Sequence, residues 1–381
     1  MKSLFTKTVF LLFLAQLLWQ CSKEDDLPKI IDQDSLNALI EKERKRENAP
    51  AIAAVIVKDG QVVWENFAGF KTLSTSESPD ENTAFILASV SKTVVAVAVM
   101  QLMEQGLLEL EEDVNTYIPF ALRNPNFPNT PITTRMLLTH TSSLSWPTNQ
   151  EDPNFNKTFE SANAPDIYPW LRDYLTPNNP NFQPNSWQNN APGTSYQYSN
   201  LGAAVLGYLV QTISRKDFHS YCKEHIFTPL QMHNTAFKIA DLSPTTDFAS
   251  LYFEDELIPQ YSASHYPAFA LRSTTADMAN FMITMLNGGV LGNTRVLEEA
   301  TVQQMLAIKV PDKKVGFLWT ELSGKWIGHI GEYWGVSSSM DIHREKNLGV
   351  FIVSNNSHIE SIYPEGQIYR YIHKYAEQLA D

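Results

Sequence analysis

Ser89-Val90-Ser91-Lys92 sets a hydroxyl and a primary amine three residues apart at the start of a long apolar run. On a helix the two side chains share one face, one turn apart. A serine hydroxyl is a poor nucleophile until a neighbouring base takes its proton. A partly desolvated lysine can act as that base, because burial disfavours its charged form. The spacing alone is not selective, since Ser220-Tyr221-Cys222-Lys223 repeats it in the same chain. Two further stretches separate them. Tyr198-Ser199-Asn200 is the only Tyr-x-Asn in the sequence, and His329-Ile330-Gly331 is the only His-x-Gly.

These groups need elements to hold them. Ser89 to Glu104 is apolar almost all round and predicts a buried helix. Leu201 to Ile213 predicts another, directly behind Tyr198 and Asn200. His329 falls in a strand predicted over about Trp326 to Ile330. Further strands are expected at Ala51 to Val57, Gln61 to Phe67, Val336 to Ile342 and Leu348 to Ser354. The first two are joined by Lys58-Asp59-Gly60, a strong hairpin signal. A helix from about Asp34 to Lys45, with Asp34 as N-cap, and another from Pro364 to Leu379 flank them. The expected fold is α+β: one antiparallel sheet built from both termini, flanked by helices, with a mostly helical region inserted at about 85–310. From Trp146 to Asn190 the chain turns irregular and rich in Asn and Pro. Its tryptophans, Trp146, Trp170 and Trp187, either pack the insertion onto the helices or line an aromatic cleft.

In this order and these contexts the three motifs resemble the serine β-lactamase and penicillin-binding-protein superfamily, in its class C β-lactamase, DD-peptidase and esterase-like branch. The likeness extends through Phe85 to Thr93, Ile132 to Leu144, Pro192-Gly193-Thr194 and Arg272-Ser273-Thr274 before Asp277 and Met278. It implies a β-lactamase/transpeptidase-like fold. It also implies an acyl-enzyme at Ser89, with Lys92 and Tyr198 sharing the base and proton-relay work. Asn200 and His329 would orient the substrate, His329 with partial positive charge at neutral pH. Gly331 would permit close approach, and the backbone N–H groups of Ser89 and Glu332 would form the oxyanion hole. His140 is expected to be a hydrogen-bonded structural residue. The remaining histidines show no zinc spacing, and neither a metal nor an organic cofactor is implied.

Four departures shape the functional expectation. Ile330 stands where relatives usually place a Thr or Ser hydroxyl that helps hold a substrate carboxylate. Ser143 replaces a usual glycine, and Phe269-Ala270 a usual glycine pair. Glu332 adds a carboxylate beside the oxyanion strand. The expected activity is therefore hydrolysis of ester or amide substrates, small-molecule or peptide-like, lacking that carboxylate. The rivals are a DD-peptidase or β-lactamase proper, and a non-catalytic cell-wall-binding protein of the same fold.

The N-terminus carries Lys2 and Lys7 and then an apolar run, Val9 to Trp19. That run is too short to span a bilayer core of roughly 30 Å but suits an export signal. It ends at Leu18-Trp19-Gln20-Cys21, which resembles the lipobox of bacterial lipoproteins with Cys21 as the lipidated residue. The acidic stretch after Cys21 resembles the surface-export signal of Bacteroidetes lipoproteins. The expected organisation is a signal peptide at 1–20, a lipid-anchored tether at 21–32 and a hydrolase domain at 33–381. That places the protein in a bacterial cell envelope, membrane-held at the outer membrane, with secretion to the periplasm as the alternative. Cys222 is then an unpaired, buried thiol. The formal charge of −13 without a basic block argues against a nucleic-acid partner.

Overall fold

The computed structural model describes residues 27–146, 166–179, 181–253 and 256–380. The expected signal peptide, Cys21 and residues 147–165 of the Asn/Pro-rich stretch lie outside them. Six strands form one antiparallel sheet: β1 (Ala51–Lys58), β2 (Gln61–Gly69), β3 (Thr320–Ser323), β4 (Trp326–Tyr333), β5 (Val336–His343) and β6 (Leu348–Ser354). Their spatial order is β3-β4-β5-β6-β1-β2. Strand β1 pairs with β6, Ile52 opposite Ser354 and Lys58 opposite Leu348, so the two ends of the chain meet inside one sheet. The β1–β2 turn works because Asp59 (φ 49°) and Gly60 (φ 78°) both adopt left-handed backbone, the requirement of a tight hairpin with the right twist.

Strand β1 is apolar and buried from Ala51 to Val57 because both its faces are covered. Ile52, Ala54 and Ile56 pack against α1 (Gln33–Arg46) and the C-terminal helix. Ala51, Ala53, Val55 and Val57 face the inserted helices. The cap of α1 is Asp32, not Asp34. Its carboxylate accepts from Ser35 N at 2.9 Å, while the Ser35 hydroxyl accepts from Asp32 N at 3.1 Å, a reciprocal capping box.

The insertion is built on α2 (Ser91–Glu104), whose Val94 to Leu102 are all buried, packed against α3 (Asn200–Ser214). Burying one Val or Leu is worth roughly 1.5–3 kcal/mol, so α2 is the hydrophobic centre of this region. Helix α4 (Thr275–Leu286) lies against the sheet and α5 (Gln367–Gln378) covers its other face. The insertion also holds short strands: Thr83–Ile86 pairs with Arg272–Ser273 and with Asp247–Phe248. Strand β3 pairs with β4 no further than Gly328. From His329 onward the outer edge of β4 is left to the insertion.

Candidate active site

Ser89 sits on a one-turn 3-10 helix, Ala88–Val90, that leads straight into α2. Ala88 has φ 46°, a left-handed conformation that costs a non-glycine residue about 1–2 kcal/mol. Four hydrogen bonds hold the turn there. The Ser91 hydroxyl donates to Ala88 O at 2.6 Å and accepts from Leu271 N at 3.1 Å. Leu87 N donates to Leu271 O at 2.8 Å, and the Ser338 hydroxyl of β5 donates to Leu87 O at 2.8 Å. The middle serine of the first motif thus clamps the Ser89 turn to Leu271, a role sequence reasoning missed.

The structure brings Ser89, Lys92 and Tyr198 into mutual contact. Ser89 Oγ lies 2.9 Å from Lys92 Nζ and 2.8 Å from Tyr198 OH. Lys92 is fully buried, and its amine also donates to Ala268 O at 2.7 Å. It has no carboxylate partner among the described residues. Burial therefore pulls its pKa well below the usual lysine value, toward the neutral amine. Tyr198 moves the opposite way: burial raises its phenol, only partly offset by its bond to Ser89, so the phenol keeps its proton. The amine lies 4.9 Å from the Tyr198 ring centroid.

Tyr198 is positioned from behind by His140. That imidazole is buried, 4.7 Å from the Tyr198 ring, and its Nδ1 accepts from Ser199 N at 3.2 Å. Burial, which disfavours the imidazolium, lowers the His140 pKa well below its usual value and holds the ring neutral. Both His140 (φ 56°) and Ser143 (φ 61°) take left-handed backbone. Ser143 occupies this glycine-like conformation and accepts a hydrogen bond from Asn124 at 3.0 Å. Asn200 opens α3, and its side-chain oxygen is buried with no hydrogen-bond partner among the described residues.

His329 lies within β4 and is buried, its ring 6.1 Å from that of Tyr198. Its Nδ1 bonds Ile330 O at 2.5 Å, which makes Nδ1 the protonated nitrogen and leaves Nε2 as an acceptor. Desolvation, then Lys92, lowers its pKa to about 3. The expected partial positive charge is thus corrected: His329 is a neutral hydrogen-bonding group at pH 7. Gly331 is required by the close approach of β4 to the Ser89 turn. A Cβ there would meet Leu87 O and Ser338 Oγ at 2.4 Å and Ser89 N at 3.0 Å.

Ile330 and Glu332 point to the other face of β4, by the alternation of a strand. Ile330 is 38% exposed. The Glu332 carboxylate pairs with His358 Nδ1 at 2.5 Å and lies 3.5 Å from Tyr363 OH, which also donates to Gly331 O at 3.2 Å. His265, missed from the sequence because its segment has no periodic pattern, is buried near Lys92. Its pKa is lowered to about 3 by burial and then by that lysine. Trp146 and Trp170 pack on it, and Phe269 fills the glycine-pair position with its ring 4.7 Å from His265. Trp187 is buried in the core. Cys222 is fully buried with its thiol pKa pushed well up.

The sequence model of the family described as Beta-lactamase matches residues 36–368, and the chain belongs to that family. "Protein flp" of Staphylococcus aureus (strain MW2) is 23% identical over 259 residues, 67% of this chain and 49% of that protein. The chain thus spans about half the length of these curated relatives. A "Beta-lactamase" of Yersinia enterocolitica is 26% identical over 295 residues, 76% of this chain and 68% of that protein. Among solved structures, an octameric penicillin-binding protein homologue from Pyrococcus abyssi superposes with a TM-score of 0.74 at 22% identity, covering 92% of this chain and 78% of that one. The fold is the β-lactamase/transpeptidase-like one, as the motifs implied.

Proposed function

We propose that the protein is a serine hydrolase that cleaves ester or amide bonds through an acyl-enzyme at Ser89. The observation that carries this reading is Ser89 Oγ held at 2.9 Å from a buried amine and 2.8 Å from a half-buried tyrosine phenol. The Ser89 proton passes to the neutral Lys92 amine as Oγ bonds to the acyl carbon. Tyr198 gives its phenol proton to the departing alcohol or amine, and Lys92 returns a proton to the phenolate. In deacylation a water yields its proton along the same pair, attacks the acyl carbon and releases Ser89. The N–H groups of Ser89 and Glu332 stabilise the oxyanion, and Asn200 and the His329 Nε2 acceptor orient the acyl group. Lys92, with its lowered pKa, is the first base; Tyr198, with its raised one, is the proton donor.

The third motif offers little to a substrate carboxylate. His329 is uncharged, and Ile330 cannot donate a hydrogen bond and points, like Glu332, to the face of β4 opposite His329. Uncharged ester or amide substrates fit it better than penicillins or terminal D-Ala-D-Ala. A p-nitrophenyl ester and a reporter cephalosporin, assayed side by side, test this. Ester turnover should dominate; efficient lactam turnover without esterase activity would overturn it. We also propose that Cys21 carries the lipid that tethers the protein to a bacterial membrane.

A further inference from the structure

A second concave site lies apart from Ser89. The helix Thr134–Leu138, the loop 193–196 and the segment 309–311 line an open cavity of about 370 Å³. Its wall includes Arg135, Lys309, Thr194, Ser195 and Tyr196, and none of Ser89, Lys92, Tyr198 or His329. Two cations share one aromatic ring there. The Arg135 guanidinium lies 5.3 Å and the Lys309 amine 5.4 Å from the Phe317 centroid. Arg135 Nε is paired with Glu111, but its two terminal nitrogens have no hydrogen-bond partner among the described residues. Lys309 has no carboxylate partner among them either, and burial together with Arg135 lowers its pKa.

Like charges in proximity oppose each other, and removal from water adds to the cost. The arrangement is conspicuous in a chain where Asp and Glu outnumber Lys and Arg by 42 to 29. A cavity walled by two crowded cations and one carboxylate has the charge balance of a site awaiting an anion. The free donors match one: the terminal Arg135 nitrogens offer a planar fork, Lys309 a point charge and Ser195 a hydroxyl. We propose that this cavity binds the oxyanion group, carboxylate or phosphate, of a small molecule. Tyr196 forms part of its wall and meets His140 edge-on at 5.9 Å, so the ligand would border the loop that carries Tyr198 without entering the catalytic site.

The test is calorimetric titration of the full chain with inorganic phosphate and, separately, with acetate at constant ionic strength. Saturable binding of at least one is expected, and the stronger arm tells a phosphate ligand from a carboxylate one. Lys309→Gln should weaken binding by about tenfold, the worth of one charge-assisted hydrogen bond. Lys309→Arg should preserve it, and Ser89→Ala should leave it unchanged. Glu111→Gln, at an exposed side chain, gives an independent reading of opposite sign: releasing Arg135 should tighten binding severalfold. Failure of both anions to saturate would overturn the proposal. So would equal affinity in wild type, Lys309→Gln and Glu111→Gln.

Discussion

Gly331→Ala probes how tightly the third motif is built onto the nucleophile. The added Cβ would stand 2.4 Å from Leu87 O and Ser338 Oγ, about 1 Å short of ordinary contact, and 3.0 Å from Ser89 N. Leu87 O and Ser338 Oγ are themselves hydrogen-bonded at 2.8 Å, and they belong to the turn and the sheet that β4 must join. Neither can yield alone, so β4 and the Ser89 turn must separate by about 1 Å. Overpacking of this kind costs about 1–3 kcal/mol, which a domain stable by about 5–15 kcal/mol survives. The same displacement at the reacting centre costs on the order of 100-fold in rate. The expected variant is folded, with kcat for a p-nitrophenyl ester down about 100-fold and the unfolding free energy down by about 1–3 kcal/mol. Gly324→Ala is the control: it has positive φ (56°) but nothing within 4 Å, so it should lose about 1 kcal/mol of stability and no activity. Wild-type kcat and stability in Gly331→Ala, or equal activity loss in the control, would refute the reasoning.

Acid should weaken the fold through its buried neutral histidines. His265 and His329 have folded pKa values of about 3, and that of His140 is also well lowered. The unfolded chain takes up protons near pH 6.5 that the folded chain refuses. Stability is therefore full above that pH and falls below it by ~1.4 kcal/mol per pH unit for each such histidine, until the folded value is reached. Urea midpoints at pH 7, 6 and 5 check this, and a flat series would contradict it. His373→Ala should destabilise by about 3–5 kcal/mol in chemical denaturation while sparing ester turnover. It strips the buried Asp341, which anchors α5 to β5, of a partner at 2.8 Å. In a Cys21→Ser variant a thiol reagent should modify no cysteine until the protein is unfolded, because Cys222 is buried. In the producing bacterium, Cys21→Ala should abolish incorporation of labelled fatty acid.

The readable parts of this molecule are those set by local pattern. Asp59-Gly60 announced its hairpin, alternating and continuous apolar runs announced the strands, and β6 runs from Leu348 to Ser354 as expected. The cap of α1 was misplaced by two residues because Asp32 pairs with Ser35, where the sequence signature anticipates Glu or Gln. Strand β4 runs on to Tyr333, past the expected end at Ile330, because pairing with β5 carries it to Val336. Ser89, Lys92 and Tyr198 could be singled out because each belongs to a motif with fixed spacing. The charge state of His329 could not, since it follows from desolvation by residues distant in sequence. Ser91, Ser338 and Ala268 act through a hydroxyl or a backbone carbonyl, which leaves no compositional trace.

The central claim is that Ser89 is the nucleophile. Intact-mass spectrometry after exposure to a fluorophosphonate tests it most directly. One adduct per chain, mapped to Ser89 and absent from Ser89→Ala, is the predicted result. An unlabelled wild type, or an adduct that survives Ser89→Ala, would contradict it.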